Sequence, residues 1–192
     1  MKSYFDFIRK SSTHLDNKTR SIISVITKVD NQTETGFRQY LVRALQAGAT
    51  PDEIIDALFA SFPSLGLSKI IWAIDIVLDM DIPGFQPENL GKEISWHEIG
   101  TLDSVREGAS LHDMDGRKVI IYRDGETIKV YDNRCPHRAT PVPLEMMEND
   151  TLTCPGHQWK FEISTGNCIA VGNRPLNQYE ARIENNILYV RW

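Results

Sequence analysis

Cys135-Pro136-His137-Arg138-Ala139-Thr140 and Cys154-Pro155-Gly156-His157-Gln158-Trp159 decide how this chain is read. Sixteen residues separate His137 from Cys154, so the pattern is Cys-x-His followed by Cys-x-x-His. Two soft thiolates and two imidazoles delivered from two loops make a donor set for Zn²⁺ or for an iron–sulfur cluster. In the zinc-finger order a pair of cysteines precedes a pair of histidines. Here each loop supplies one of each, which departs from that order.

The residues around the two boxes read as short strands. Val119-Ile120-Ile121-Tyr122-Arg123 and Thr127-Ile128-Lys129-Val130-Tyr131 flank Asp124-Gly125, a strong hairpin signal. Asp115-Gly116, Thr165-Gly166 and Asn185-Asn186 mark further tight turns, and Ile187-Leu188-Tyr189-Val190 closes the chain as a strand. This density of turns points to a small antiparallel sandwich or barrel.

On its boxes and flanks, the segment from residue 92 to 192 resembles a Rieske ferredoxin domain of the soluble kind that serves ring-hydroxylating oxygenases. Gln158-Trp159-Lys160-Phe161 and the Thr165-Gly166 turn extend the likeness beyond the boxes. The resemblance implies one Rieske-type [2Fe–2S] cluster per chain, with Cys135 and Cys154 on one iron and His137 and His157 on the other. Neutral imidazole in place of thiolate lifts the potential into a range of roughly −150 to +300 mV.

High-potential relatives carry an extra cysteine in each box, joined as a disulfide, and a serine just past the second box. The comparable positions here read Thr140, Gly156 and Gln158-Trp159. Fewer donors to the sulfurs imply the low-potential end of the range. Val171-Gly172-Asn173-Arg174-Pro175-Leu176 resembles the proline-bearing loop that covers the cluster in this family. Cys168 reads as a small apolar residue rather than a fifth ligand, and Trp159 as core. His14, His97 and His112 stand outside any metal spacing.

Residues 1–82 read differently. Ile22, Ile23, Val25, Ile26 and Val29 make an apolar helix face over 17–29, and Phe37, Leu41, Ala44 and Leu45 another over 33–47. Gly48 stands where a left-handed C-terminal cap is usual. Thr50-Pro51-Asp52-Glu53 is a strong helix start, and Pro63 is expected to end the helix it opens. A last helix over 67–79 is apolar nearly all round and must be buried, in its own bundle or against another subunit. The prolines of Asp81-Ile82-Pro83-Gly84-Phe85-Gln86-Pro87 place a linker at 83–91. The fold class is therefore α+β with two domains, all-α followed by all-β.

Leu15 to Arg20 leading into a helix, and Ala44-Leu45-Gln46-Ala47-Gly48-Ala49-Thr50-Pro51-Asp52-Glu53-Ile54, resemble the carboxymuconolactone decarboxylase and alkylhydroperoxidase-D-like family. The peroxidase branch of that family uses a Cys-x-x-Cys pair with a histidine, as thiolate nucleophile and proton relay. This half has no cysteine, and its single histidine is His14. Where that helix would carry functional groups, the chain reads Thr33-Glu34-Thr35-Gly36-Phe37-Arg38-Gln39-Tyr40. The resemblance implies assembly as a trimer or hexamer without the family's chemistry.

Composition sets outer limits. The chain has 192 residues, 41% apolar and 24% charged, with a net charge of −5, which argues against nucleic acid as a partner. No apolar run is long enough to span a membrane. Met1 to Arg9 lacks the apolar core of a signal peptide, and three cysteines make a disulfide framework unlikely, so the expected compartment is the cytoplasm.

The expected function is one-electron transfer from a flavin-dependent reductase to a terminal oxygenase, with the helical part a homo-oligomeric assembly or docking domain. No histidine follows His157 in this sequence, so a two-His, one-carboxylate oxygenase site is not expected in it. One alternative is a redox-linked enzyme whose helical half acts on a lactone or ring-cleavage product, with Glu34, Asp52 and Asp56 as available acids. The other is a redox-sensing module.

Overall fold

The computed structural model describes residues 14–87, 89–114 and 116–192. Met1 to Arg9 and Asp115 of the Asp115-Gly116 turn lie outside the described residues. Two compact units divide after Phe85.

The first unit is helical: α1 (Asn17–Asp30), α2 (Glu34–Gln46), α3 (Pro51–Ala60), a single turn α4 (Phe62–Leu65) and α5 (Leu67–Asp79). Asp16 caps α1 by accepting from the Thr19 N–H at 2.9 Å. Thr50 and Glu53 close a reciprocal capping box on α3, with Pro51 where a missing N–H costs nothing. Hydrogen bonds from Thr19 hold the Asp16 carboxyl below its ordinary value, and the bond from Lys18 does the same for Glu53. Both carboxylate contributions are present above the ordinary carboxylate range and are lost as pH falls through the lowered values.

Gly48 ends α2 at φ +90°, and the Ala49 N–H reaches back to the Ala44 carbonyl at 2.9 Å. Pro63 does not end α3. That helix stops at Ala60, and Pro63 sits in the first turn of α4, where its ring is tolerated.

Val25, Phe37, Leu41, Ile54 and Leu58 have no exposed surface, and the Phe37 and Trp72 rings meet at 5.7 Å. α5 buries Ile70, Ala73, Ile76 and Val77, whereas Leu67, Ile71 and Leu78 on its other faces stand exposed. Pro83–Phe85 forms a 3₁₀ turn with Pro83 and Phe85 buried; a Cβ on Gly84 would meet the Pro51 ring at 2.7 Å. Among the described residues no helix is long and apolar enough to cross a membrane.

The second unit is two antiparallel sheets. β1 (Trp96–Thr101), β2 (Gly108–Met114), β3 (Arg117–Asp124), β4 (Thr127–Asp132), β9 (Gln178–Glu184) and β10 (Ile187–Arg191) form one, in the order β1-β10-β9-β4-β3-β2. The smaller sheet runs β5 (Met147–Glu148), β6 (Thr151–Thr153), β7 (Lys160–Glu162) and β8 (Cys168–Ala170).

The β3–β4 hairpin pairs Asp124 with Thr127, so its two turn residues are Gly125 and Glu126, and Gly125 takes φ +58°. Alternation along this hairpin divides the core. Ile120 and its cross-strand partner Tyr131 join the cluster that holds both motif cysteines, Leu152 and Phe161. Ile121 and its partner Val130 pack on the other face with Val119, Leu188 and Val190. The motif loops thus leave the inward face of one sheet and the strands of the other.

Candidate metal centre

The first box follows β4 and the second joins β6 to β7. The two loops have the same backbone design. The Cys135 N–H donates to the Thr140 carbonyl at 2.8 Å, and the Ala139 N–H returns to the Cys135 carbonyl at 2.9 Å. Cys154 N–H donates to the Trp159 carbonyl at 2.8 Å, and Gln158 N–H to the Cys154 carbonyl at 3.0 Å. Ala139 and Gln158, the fourth residue after each cysteine, both take φ +58°. Each loop is therefore a tight curl that turns its Cys side chain inward.

Both thiols are 1% exposed and share a hydrogen bond. Accepting from Cys135 lowers the Cys154 thiol to about 6, against its burial, and the Gly156 and His157 backbone N–H groups lower it further. That shared bond, together with burial, pushes Cys135 up. The His137 and His157 rings lie 4.6 Å apart, edge to face, with His157 exposed and His137 half-buried.

Among the described residues no three Cys, His, Asp or Glu side chains converge as one mononuclear ion would require. The four motif residues instead come as a buried thiol pair and an outer imidazole pair. That division fits a centre of two irons with two protein ligands each.

The boxes also touch where a disulfide would tie them in high-potential relatives. A Cβ on Gly156 would meet Thr140 Oγ1 at 3.3 Å, and all three cysteines are free. Cys168 is half-buried against the core, its Sγ 3.4 Å from the Ala170 carbonyl. His97 stacks on Trp192 at 4.6 Å and His112 meets the Ser110 hydroxyl at 3.0 Å; His14 is exposed.

Trp159 is core, 8% exposed, and also part of the site: its indole stacks on the His137 ring at 4.9 Å and 8°. The loop after β8 lies on that indole. Gly172 sits so close that a Cβ would fall 2.1 Å from the ring, and the Arg174 guanidinium stands 5.5 Å from its centroid.

Sequence reasoning missed the support beneath the first box. Asp132, buried just before that loop, accepts from the Arg134 N–H at 3.1 Å and from the Tyr179 hydroxyl at 3.2 Å. Arg117 in turn donates to the Tyr179 hydroxyl at 3.0 Å. Burial pushes the Asp132 carboxyl up, opposed by Arg134 and Arg117. Its proximity to the first box was the available signal; Tyr179 and Arg117 are distant in sequence and gave none.

In the helical unit the Thr33–Tyr40 stretch holds no thiol or imidazole. Tyr40 stands between two cations, Lys28 Nζ at 5.1 Å and Arg43 at 5.0 Å from its ring.

The Rieske [2Fe–2S] domain model matches residues 95–180, and the carboxymuconolactone decarboxylase family model matches residues 2–79. Protein TIC 55 of Arabidopsis thaliana is 32% identical over 42% of this chain, the match covering 15% of that protein. The oxygenase component of chloroacetanilide N-alkylformylase from Rhizorhabdus wittichii is 33% identical over 39% of this chain and 22% of its own length. Both thus match over less than a quarter of their lengths.

The ferredoxin component of the naphthalene 1,2-dioxygenase/salicylate 5-hydroxylase systems from Ralstonia is 27% identical, over 47% of this chain and 89% of that one. Among solved structures, the ferredoxin of carbazole 1,9a-dioxygenase from Nocardioides aromaticivorans aligns with 25% identity and a TM-score of 0.40. That alignment covers 50% of this chain and 96% of the ferredoxin. The cofactor of such a domain is a Rieske-type [2Fe–2S] cluster. The β unit is thus similar to the Rieske [2Fe–2S] domain family over residues 95–180, and the helical unit to the carboxymuconolactone decarboxylase family over residues 2–79.

Proposed function

We propose that this protein is a one-electron carrier of the oxygenase-ferredoxin kind, with Cys135, Cys154, His137 and His157 as the cluster ligands. The observation that carries the reading is the pairing of two buried thiols beneath two imidazoles on loops of matching backbone design. When bound, a Rieske cluster accepts and releases a single electron. Cys135 and Cys154 anchor the inner side of the site in the sandwich core. His157, exposed at the outer side, gives the short path to a docked partner that transfer requires.

The potential belongs at the low end of the Rieske span. Thr140 against Gly156 replaces the tying disulfide, and Gln158 stands in place of a serine donor. The N–H groups of His137, Gly156 and His157 remain as donors to the sulfurs. A redox titration is expected to give a midpoint between about −150 and 0 mV; one above about +100 mV contradicts this. Rapid reduction by a flavin-dependent reductase, followed by reoxidation by a terminal oxygenase, is the expected behaviour of a carrier. Indifference to both partners contradicts the reading.

The helical unit serves assembly or docking. It offers no Cys-x-x-Cys pair for the family's peroxidase chemistry, and it leaves large apolar side chains outside its core: Phe59 and Leu67 are each 59% exposed, and Phe62, Ile71 and Leu78 are exposed as well. At ~25 cal/mol per Å² of apolar surface, covering several such side chains between copies favours association by several kcal/mol. Multi-angle light scattering is expected to show a trimer or hexamer, with the protein in the cytoplasm. A monomer at micromolar concentration contradicts the assembly role.

A further inference from the structure

Four consecutive N–H groups lead from the end of β4 into the first box, and three of them donate to backbone carbonyls. Asp132 N–H donates to Asn177 at 2.8 Å, Asn133 N–H to Lys118 at 3.4 Å, and Cys135 N–H to Thr140 at 2.8 Å. The fourth, on Arg134, donates instead to a side chain, the Asp132 carboxylate, at 3.1 Å. Asp132 occupies a place on the sheet that suits an apolar residue. Val130 lies two residues before it, Val119 is its cross-strand partner, and both pack with Leu188 and Val190. A carboxylate buried on such a face is costly unless it is bonded. Here the Tyr179 hydroxyl donates to it at 3.2 Å. That hydroxyl is itself fixed by Arg117 at 3.0 Å, whose guanidinium lies over the Tyr179 and Trp192 rings.

We propose that Asp132 is the positioning residue of the first ligand loop, its carboxylate holding the Arg134 N–H so that Cys135 and His137 keep fixed places. Tyr179 and Arg117 aim that carboxylate. This rests on the ligand assignment made above. The two boxes share one backbone design but are entered differently. Cys154 directly follows Thr153, which is paired with Lys160 across β6 and β7, so sheet pairing alone steers the second box. Cys135 lies beyond Asn133 and Arg134, past the last pair of β4, Asp132 with Val119. The carboxylate spans that gap. Outer-shell partners of this kind orient the ligands they support, and their loss costs about 10–100-fold in metal retention.

The test compares the full-length holoprotein with D132N, D132L and Y179F, by pulsed electron paramagnetic resonance of the reduced cluster and by the rate of iron loss to a ferrous-iron chelator. Asn keeps an oxygen for the Arg134 N–H, whereas Leu has a similar branched shape and no acceptor. D132L is expected to lose iron about 10–100-fold faster, with one imidazole nitrogen coupling shifted and the other at its parent value. D132N is expected to keep both couplings and to lose iron within about threefold of the parent rate. Y179F keeps the ring and removes the donor; it is expected between the two, with the same single coupling shifted. If D132L keeps both parent couplings, its effect is on general stability and the proposal falls while the ligand assignment stands. The proposal also falls if D132N loses iron as fast as D132L, because charge and not the acceptor then matters. Should D132L fail to fold, Y179F at the parent rate with both couplings unmoved overturns it equally. If the parent itself shows no imidazole coupling, the ligand assignment falls with it.

Discussion

H157A is expected to fold as the parent does and to hold no cluster after anaerobic reconstitution. The imidazole is exposed and lies outside the core, so its loss removes no buried apolar surface. A purely structural account therefore predicts a change within about 0.5 kcal/mol, typical of surface positions. The ligand account predicts loss of visible absorption and of bound iron and sulfide, because three remaining donors leave one iron open to solvent. His137 is a less clean subject, since its ring is stacked on Trp159 and its removal also disturbs packing. Retention of a full cluster by H157A, with iron and sulfide at the parent ratio, contradicts the assignment of that residue.

G166A is expected to destabilise the β unit by about 2–5 kcal/mol, from two independent costs. Gly166 sits at φ +74°, where an L side chain loses roughly 1–2 kcal/mol. A Cβ there would also lie 2.6 Å from Tyr131 Cε1 and 3.2 Å from its hydroxyl. Tyr131 is fully buried, so its ring has nowhere to retreat, and overpacking of this kind costs about 1–3 kcal/mol. Any shift is passed on, because the Gly166 carbonyl holds Leu176 and Tyr131 immediately precedes Asp132. Urea-induced bleaching of the cluster is expected at a markedly lower midpoint than in the parent. Enlarging the space with Y131L is expected to recover part of the loss, as neighbouring substitutions couple. An unchanged bleaching midpoint contradicts the packing described.

How far the sequence discloses this arrangement differs between elements. The capping box at Thr50 to Glu53, the Gly48 cap and the α5 span were legible because local chemistry alone specifies them. Pro63 lies in a first turn and not at a helix end, because a proline suits both places and only the tertiary path decides. The hairpin turn lies one residue later than the Asp124-Gly125 signal, at Gly125-Glu126, because cross-strand pairing sets register.

At the site, the donor types and spacing were legible from the two boxes. The parallel contact of Trp159 with His137, the seat of Arg174 on that indole, and the Arg117–Tyr179–Asp132 relay were not. Each joins residues brought together only by the pairing of β3, β4 and β9 or by the return of a loop. The exposed faces of α5 illustrate the same point: apolar all round predicts burial, but not which partner supplies it.

Pulsed electron paramagnetic resonance of the dithionite-reduced, full-length protein tests the central claim most directly, because nitrogen bound to a paramagnetic iron leaves its own hyperfine coupling. Two distinct imidazole nitrogen couplings, together with two irons and two sulfides per chain, are the predicted result for a [2Fe–2S] centre on Cys135, Cys154, His137 and His157. A reduced cluster without nitrogen coupling, or a chain that remains colourless and iron-free, would contradict it.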